Sequence, residues 1–479
     1  MHERVASRTE DAAVISLRDI LDGSAGILLG EGTSDLLLRY VRHDSREIGP
    51  GDLFVALVGE HRDGHDFVAD ALARGAGAVM IDRQHASRFE GLSVPVVVVE
   101  DTVAGLRRLA SYWRSLFAVQ VIGVTGSLGK TSTKEAIASV AAQRFRVVRT
   151  RRSFNTEIGV SLGLLEITPD TEVVVLELGE AYRLGEVREL CELGRPAIGV
   201  VTNVSSSHLS RMGSIEAIAA SIAELPESLP EDGVAVLNGD DLRVRAMVER
   251  CRCPVILYGL ARDCIVRAES VESHGLAGLS FDLLLEGQRS RLRLPLLGRH
   301  SVHTALAAIA VGRALGMTLE EILRGFTDPA VQVRLLTVPG INGSTLLDDT
   351  YNANPTSCLA ALSLLAEIPA RRRVAVFGDM YELGWYEDEG HRLVGRRAAA
   401  VVDLLFTLGP RARLIAEEAV AAGLPASAVV ATEERHELIA LLRGTLTKGD
   451  FVLVKGARGM RLEEIVEALR TPRRPDEAT

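Results

Sequence analysis

The chain has 479 residues, of which 47% are hydrophobic and 25% charged, and carries a formal net charge of −10. That length accommodates roughly two to four domains with cores of their own, and the acidic balance argues against the broad basic face that general nucleic-acid binding needs. The opening MHERVASRTEDA lacks an apolar signal region, no apolar run reaches membrane-spanning length, and the five scattered cysteines complete no zinc motif; a cytoplasmic protein with reduced thiols and no membrane contact is expected.

In chain order, residues 1–117 mix short strands and helices. Asp52–Leu57 reads as a strand, Phe67–Arg74 as a helix ended by Gly75, Ala78–Ile81 and Val94–Val99 as buried strands, and Thr102–Leu116 as a helix. Over 118–330 apolar strands alternate with helices: strand Val119–Val124, helix Lys130–Gln143, then strands at Val173–Leu178, Ala197–Asn203 and Val234–Asn238. This alternation predicts a parallel sheet covered on both faces. Residues 264–297 read as a β insertion, with Ser280–Leu285 and Ser290–Leu296 forming a hairpin around Glu286-Gly287, and His300–Leu315 as an Ala-rich helix. Over 331–479 the alternation restarts, with strands at Arg373–Phe377, Leu404–Leu408, Ala428–Ala431 and Phe451–Lys455, giving a second doubly wound α/β unit. Arg371–Arg373 reads as a solvated loop before a strand, and Arg470–Thr479 as a disordered tail.

The sharpest chemical feature is Thr125-Gly126-Ser127-Leu128-Gly129-Lys130-Thr131-Ser132, which follows an apolar strand and opens a helix. In that setting glycines let backbone N–H groups turn around phosphate oxygens, and the helix N-terminus favours the anion. Lys130 can reach the β- and γ-phosphates, and the Thr131 hydroxyl can ligate magnesium. The strict GxxxxGKT pattern is not met, because Val124 stands at its first glycine. Glu177 ends a buried strand, where a carboxylate points into the ligand crevice of a parallel sheet and can hold magnesium through oxygen. His208, after the loop Asn203–Ser207, is a metal candidate that is ambiguous taken alone. His61 and His65, with Asp63 and Asp66, read as a polar loop. Asp44, Ser45 and Arg46 offer phosphate and base contacts. Asp348–Pro355, Phe377–Met380 and Lys455–Gly459 are polar loops ending strands, and together they would line one edge of the third unit's sheet.

Taken together, TGSLGKT, HDSR, DDTYNANP, FGDMYELG and VLVKGARGMRLEEIV resemble the Mur ligase family of peptidoglycan synthesis, in family order along essentially the whole chain, and within it the type that adds D-alanyl-D-alanine. The DNPR motif of the diaminopimelate- or lysine-adding type is absent. The resemblance implies an α/β protein of three domains: 1–117 holding a UDP-sugar, 118–330 a central P-loop parallel-sheet ATPase domain, and 331–479 a Rossmann-like domain. It implies an ATP- and Mg2+-dependent ligase, monomeric, whose small-molecule partners are UDP-MurNAc-tripeptide and D-Ala-D-Ala. Lys130, Glu177 and His208 would be catalytic, with Thr131, Glu177 and His208 on the metal. ATP would meet residues 125–132, Asn155, His300, Asp349, Asn352 and Asn354. Asp44, Ser45, Arg46, Tyr351, Lys455 and Arg458 would meet the other substrates.

The chain also departs from the family pattern. Ile222 replaces a lysine that becomes carbamylated, two residues before Glu224; Ser301 and Thr304 replace the asparagines of an adenine-binding HNxxN; Thr156 replaces an Asn; and the acidic strand end reads ELGE. The alternatives these changes leave open are a Mur-like ligase with a different acceptor and a catalytically weak nucleotide-binding paralogue.

Overall fold

A computed structural model describes residues 14–30, 35–59, 61–179, 182–328, 331–332 and 335–471. Its three main sheets follow one another along the chain. The first has five strands in the spatial order Ile27–Leu29, Val96–Val99, Ala78–Asp82, Leu53–Val55, Val41–Arg42, antiparallel only at its first pair. The strand expected from Val94 starts at Val96, directly after Pro95, which lacks the N–H a ladder needs.

The central sheet runs Gln288–Leu294, Leu279–Leu285, Val266–Ser273, Val255–Gly259, Val234–Asn238, Ile198–Val201, Gln120–Thr125, Val173–Glu177, Val147–Arg149. Its six strands from Val255–Gly259 to Val147–Arg149 are parallel, and Val266–Ser273 continues them. The last two in the chain are the expected hairpin, turning at Glu286 (φ 52°) and Gly287 (φ 77°). Two successive left-handed residues match the right-handed twist of the flanking strands. Strand Val173–Glu177 is buried at every position because helices cover both faces of the sheet. Each such Val or Leu contributes about 1.5–3 kcal/mol of burial.

The order of strands reverses around Gln120–Thr125, whose neighbours are Val173–Glu177 on one side and Ile198–Val201 on the other. Three loops therefore leave the same carboxyl edge at the switch point, where a crevice forms. The third sheet has the order Leu336–Pro339, Thr345–Asp349, Asp450–Lys455, Arg372–Gly378, Leu404–Leu408, Val429–Thr432, parallel except at its first pair.

One apolar core crosses from the first sheet to the second. Leu106, Leu109 and Trp113 of helix Thr102–Ser115 pack with Val160, Leu164 and Leu190, and the Trp113 indole donates to the Ile167 carbonyl at 3.0 Å.

Three sequence expectations change. The Arg371–Arg373 run is only partly solvated: Arg372 starts a strand and pairs with buried Asp450 (2.6 Å), and Arg373 donates to the carbonyls of Leu365 and Ile368. Arg470 and Thr471 are bonded to the edge at Pro339–Gly340, while the rest of the expected tail, 472–479, and the N-terminal residues 1–13 lie outside the described residues. His65 is wholly buried instead of lying in a polar loop: its Nε2 accepts from the Asp82 N–H (3.2 Å), Nδ1 faces Asp63 (2.6 Å), and its ring stacks on His85. With Nε2 accepting, Nδ1 carries the proton and both nitrogens are committed. The five cysteines are free thiols, and burial pushes Cys191 and Cys358 up to about 12.

Candidate active site

The expected phosphate loop sits between strand Gln120–Thr125 and helix Lys130–Ala141. Gly126 has φ +134° and lies against the Thr202 hydroxyl, where a Cβ would collide; Gly129, at φ +77°, precedes the first turn of the helix. Only glycine meets both demands without strain. The loop is braced by the neighbouring strand end. Asn203 accepts from Leu128 N (3.0 Å) and donates to Leu128 O (2.9 Å), the Thr202 hydroxyl donates to Leu128 O (2.7 Å), and Ser205 N donates to Ser127 Oγ (2.8 Å). These bracing roles of Thr202 and Asn203 escape sequence reasoning. The only signal is a polar run at the end of an apolar strand.

Ser127 to Thr133 line a cavity of about 580 Å3 together with Asn155, Glu177, Asn203, His208, His300, Ser301, His303, Thr304, Asp349, Tyr351, Asn352, Asn354 and Lys455. Thr125 and Gly126 shape the loop from beneath, and Lys130 donates to the Gly126 carbonyl at 2.7 Å. Ser301 and Thr304, which replace the family asparagines, face the cavity with His300. Ile222 does not line it. That side chain is 1% exposed and belongs to the apolar core with Leu209 and Leu225, while Glu224 accepts from Gly185 N and Arg188 N at the start of helix Glu186–Gly194.

Glu177 is buried at the carboxyl end of its strand. Asn155 donates to it at 3.2 Å, and the Lys134 ammonium lies 4.0 Å away. Lys134, also fully buried, donates to the carbonyls of Thr150 (2.7 Å) and Arg152 and pairs with Glu135 (3.0 Å). Sequence reasoning passes over this lysine because an i+4 Lys after a phosphate loop reads as surface.

Residues from the third unit close the other side. Lys455 ends its strand and is buried against Asp349 (2.5 Å) and the Asn352 carbonyl (2.9 Å). An ammonium so held organises the Asp349–Asn354 loop as well as facing the cavity. Asn354 caps helix Pro355–Glu367, its side chain accepting from Ser357 N (2.9 Å), and its amide also donates across the cleft to Ser207 Oγ (3.1 Å). Asp379, with its carboxyl pushed up by burial against the opposing Ala412 N–H, ties the sheet edge together. Glu382 bonds His208 Nδ1 and Arg211 Nε (2.8 Å); burial works to raise its carboxyl, but these two partners hold it below the usual range.

A second cavity of about 430 Å3 shares Asn155, His208, Tyr351, Asn352 and Asn354 with the first, and adds Phe154, Tyr381, Glu382 and Arg458. Arg458 stacks on the Tyr351 ring, 5.3 Å from its centroid. Asp44, Ser45 and Arg46 line neither cavity. Arg46 grips Asp44 (2.6 and 2.9 Å), and the segment approaches the second cavity through His43, edge-on to Phe154 at 6.3 Å.

Thr131, Glu177 and His208 thus meet in one cavity as a hydroxyl, a buried carboxylate and an imidazole. Oxygen donors beside a phosphate loop fit magnesium, which takes few protein ligands and completes its shell with phosphate and water.

Three family models match: "Mur ligase family, catalytic domain" over residues 38–114, "Mur ligase middle domain" over 124–312, and "Mur ligase, glutamate ligase domain" over 333–458. The UDP-N-acetylmuramoyl-tripeptide–D-alanyl-D-alanine ligase of Synechocystis is 37% identical over 441 residues, covering 91% of this chain and 93% of that protein. The enzyme of the same name from Bacillus subtilis is 34% identical, covering 95% and 98%. Among solved structures, MurF from Acinetobacter baumannii superposes with a TM-score of 0.82 at 28% identity, covering 95% of this chain and 98% of that one. MurF from Thermotoga maritima in complex with ADP gives 0.76 at 28%, covering 91% and 98%. The chain belongs to the Mur ligase family.

Proposed function

We propose that this chain is the ATP-dependent ligase that joins D-Ala-D-Ala to UDP-MurNAc-tripeptide in peptidoglycan precursor synthesis, acting as a cytoplasmic monomer. The observation that carries the reading is the pair of joined cavities. One is built on a phosphate loop and the other is lined by Arg458 and three tyrosines, with Asn155, His208 and the Tyr351–Asn354 loop shared between them. A reaction that passes a phosphoryl group and then an acyl group needs two such chambers meeting at one point. The names of the relatives supply the identity of the two substrates. We propose the division 1–117, 118–330 and 331–479 on the basis of the three sheets and the three matched segments.

The chemistry runs in two steps. An oxygen of the tripeptide's terminal carboxylate attacks the γ-phosphorus of ATP, and the bond to ADP breaks. The resulting acyl phosphate has phosphate as a leaving group, which the free carboxylate lacks. The D-Ala-D-Ala amine nitrogen then attacks the acyl carbon, and the tetrahedral species collapses to an amide with loss of phosphate and a proton. Backbone N–H groups of 127–131 and the Lys130 ammonium stabilise charge on the transferring phosphoryl oxygens. Thr131, Glu177 and His208 would hold magnesium, which when bound neutralises phosphate charge. Asn155 orients Glu177, and the third unit excludes water from the acyl phosphate. Arg458 suits the acceptor's carboxylate, because a guanidinium can grip both its oxygens.

Phosphate release measured with ATP, UDP-MurNAc-tripeptide and D-Ala-D-Ala tests the reading. Release is expected only with both substrates present, and release independent of either one overturns it.

A further inference from the structure

Two non-glycine residues in the left-handed region face each other across the cleft: His208, with φ 59°, from the central unit and Glu382, with φ 61°, from the third. Such conformations persist only where the surroundings hold them, and they concentrate at functional sites. Here each residue helps to hold the other. Glu382 accepts from His208 Nδ1 through one oxygen and from Arg211 Nε through the other (2.8 Å), and its carbonyl accepts from Ser210 N (3.2 Å). The Arg211 guanidinium lies 4.6 Å from the Tyr182 ring centroid, and Tyr182 stands edge-on to His208 at 4.8 Å and 89°. His208, Glu382, Arg211 and Tyr182 therefore close a ring of four side chains in which Glu382 alone comes from the third unit. Two residues on, Gly384 has φ +56° and packs close to the Ser210 backbone, and Tyr386 packs against the central core.

We propose that Glu382 is a positioning residue that makes metal binding at His208 depend on docking of the third unit. This rests on the reading of His208 as a metal ligand. With Nδ1–H donated to a carboxylate, a neutral imidazole carries its lone pair on Nε2, and the ring plane is set by the hydrogen bond. Metal-binding histidines are commonly oriented this way, and losing the orienting group weakens the metal by about 10–100-fold. Here the carboxylate arrives with the third sheet through the segment Gly378–Gly384. When the third unit leaves, Glu382 leaves with it, and His208 loses the carboxylate on its Nδ1. Linkage then makes the effect reciprocal: metal at His208 favours the docked arrangement by the same factor. A ligase gains from this order, because the metal site is completed only when the unit that excludes water is in place.

The test uses the full chain with Mn2+ and a non-hydrolysable ATP analogue, without acyl substrate or acceptor. Three quantities are read: the 14N modulation of an imidazole on Mn2+ by pulsed EPR, Mn2+ affinity by EPR titration, and separation of the two units by paired spin labels. In the wild type an imidazole nitrogen is expected on Mn2+. Glu382→Ala is expected to lose that modulation, to weaken the nitrogen-bearing site by about 10–100-fold and to lower the docked population. Glu382→Gln keeps an acceptor for Nδ1 and loses only the charge facing Arg211, so it should retain the modulation with a smaller loss of affinity; it also serves if the alanine variant folds poorly. Arg211→Ala should reduce docking yet keep the nitrogen signal in the molecules that remain docked. Unchanged modulation and Mn2+ affinity in Glu382→Ala overturn the proposal, as does a wild type with no imidazole nitrogen on Mn2+. Because no substrate is present, these outcomes are separate from the phosphate-release assay. A chain that fails that assay and still shows Glu382-dependent nitrogen ligation refutes the ligase reading and leaves the coupling standing.

Discussion

The Lys134 ammonium lies 4.0 Å from the Glu177 carboxylate, and both side chains are buried, at 0% and 1% exposure. The same ammonium pairs with Glu135 at 3.0 Å and bonds the Thr150 and Arg152 carbonyls. One buried cation thus holds the acidic strand end, the helix behind the phosphate loop and the loop that delivers Asn155. Removing one member of such a cluster strands the others. Lys134→Met is expected to lower the unfolding free energy by about 3–5 kcal/mol, read by urea denaturation without nucleotide. A loss of about 1 kcal/mol or less, the range of an exposed pair, would show that the cluster is not acting as a buried one.

Lys130 has the opposite character. Among the described residues its ammonium makes one hydrogen bond, to the Gly126 carbonyl, and it faces the cavity. Lys130→Ala should leave the melting temperature close to wild type and lower kcat by about 100-fold or more, the scale of losing one preorganised charge donor. Steady-state phosphate release together with a thermal melt checks both halves.

Restoring the family lysine at position 222 is not expected to restore a metal ligand. Ile222 is surrounded by apolar side chains and lies outside the cavity lining. Ile222→Lys should cost about 2–4 kcal/mol, by burying an unpaired ammonium and overfilling the core, with no rise in kcat even with added bicarbonate. Higher activity in bicarbonate would mean that the helix turns this side chain toward the cavity.

The Asp44 carboxyl is held down at about 2 from an ordinary 3.8, first by the hydrogen bonds from Arg46, with burial opposing them. A depressed carboxyl stabilises the fold above its unfolded value, and that contribution is lost as the pH falls through about 2. In Arg46→Ala the Asp44 titration should move back toward 3.8, followed by carboxyl 13C shifts. An unmoved titration would assign the shift to the surrounding backbone instead.

Much of this protein is local information. Apolar runs such as Val173–Leu176, the loop at 125–131, the Glu286-Gly287 turn and the Asn354-Pro355 helix start are each set by a few adjacent residues, because sterics, turn geometry and capping act over that range. The sequence by itself determined the three α/β units, the phosphate loop and the resemblance to Mur ligases. Tertiary structure alone decided which charges distant in sequence meet. Lys134 reaches Glu177, Lys455 reaches Asp349 over 106 positions, and His208 meets Glu382 over 174. It also decided that Ile222 lies in a core and that Asp44, Ser45 and Arg46 line neither cavity. Ion pairs and burial depend on distances and dielectric surroundings created by the packing of remote segments, and no residue spacing encodes those.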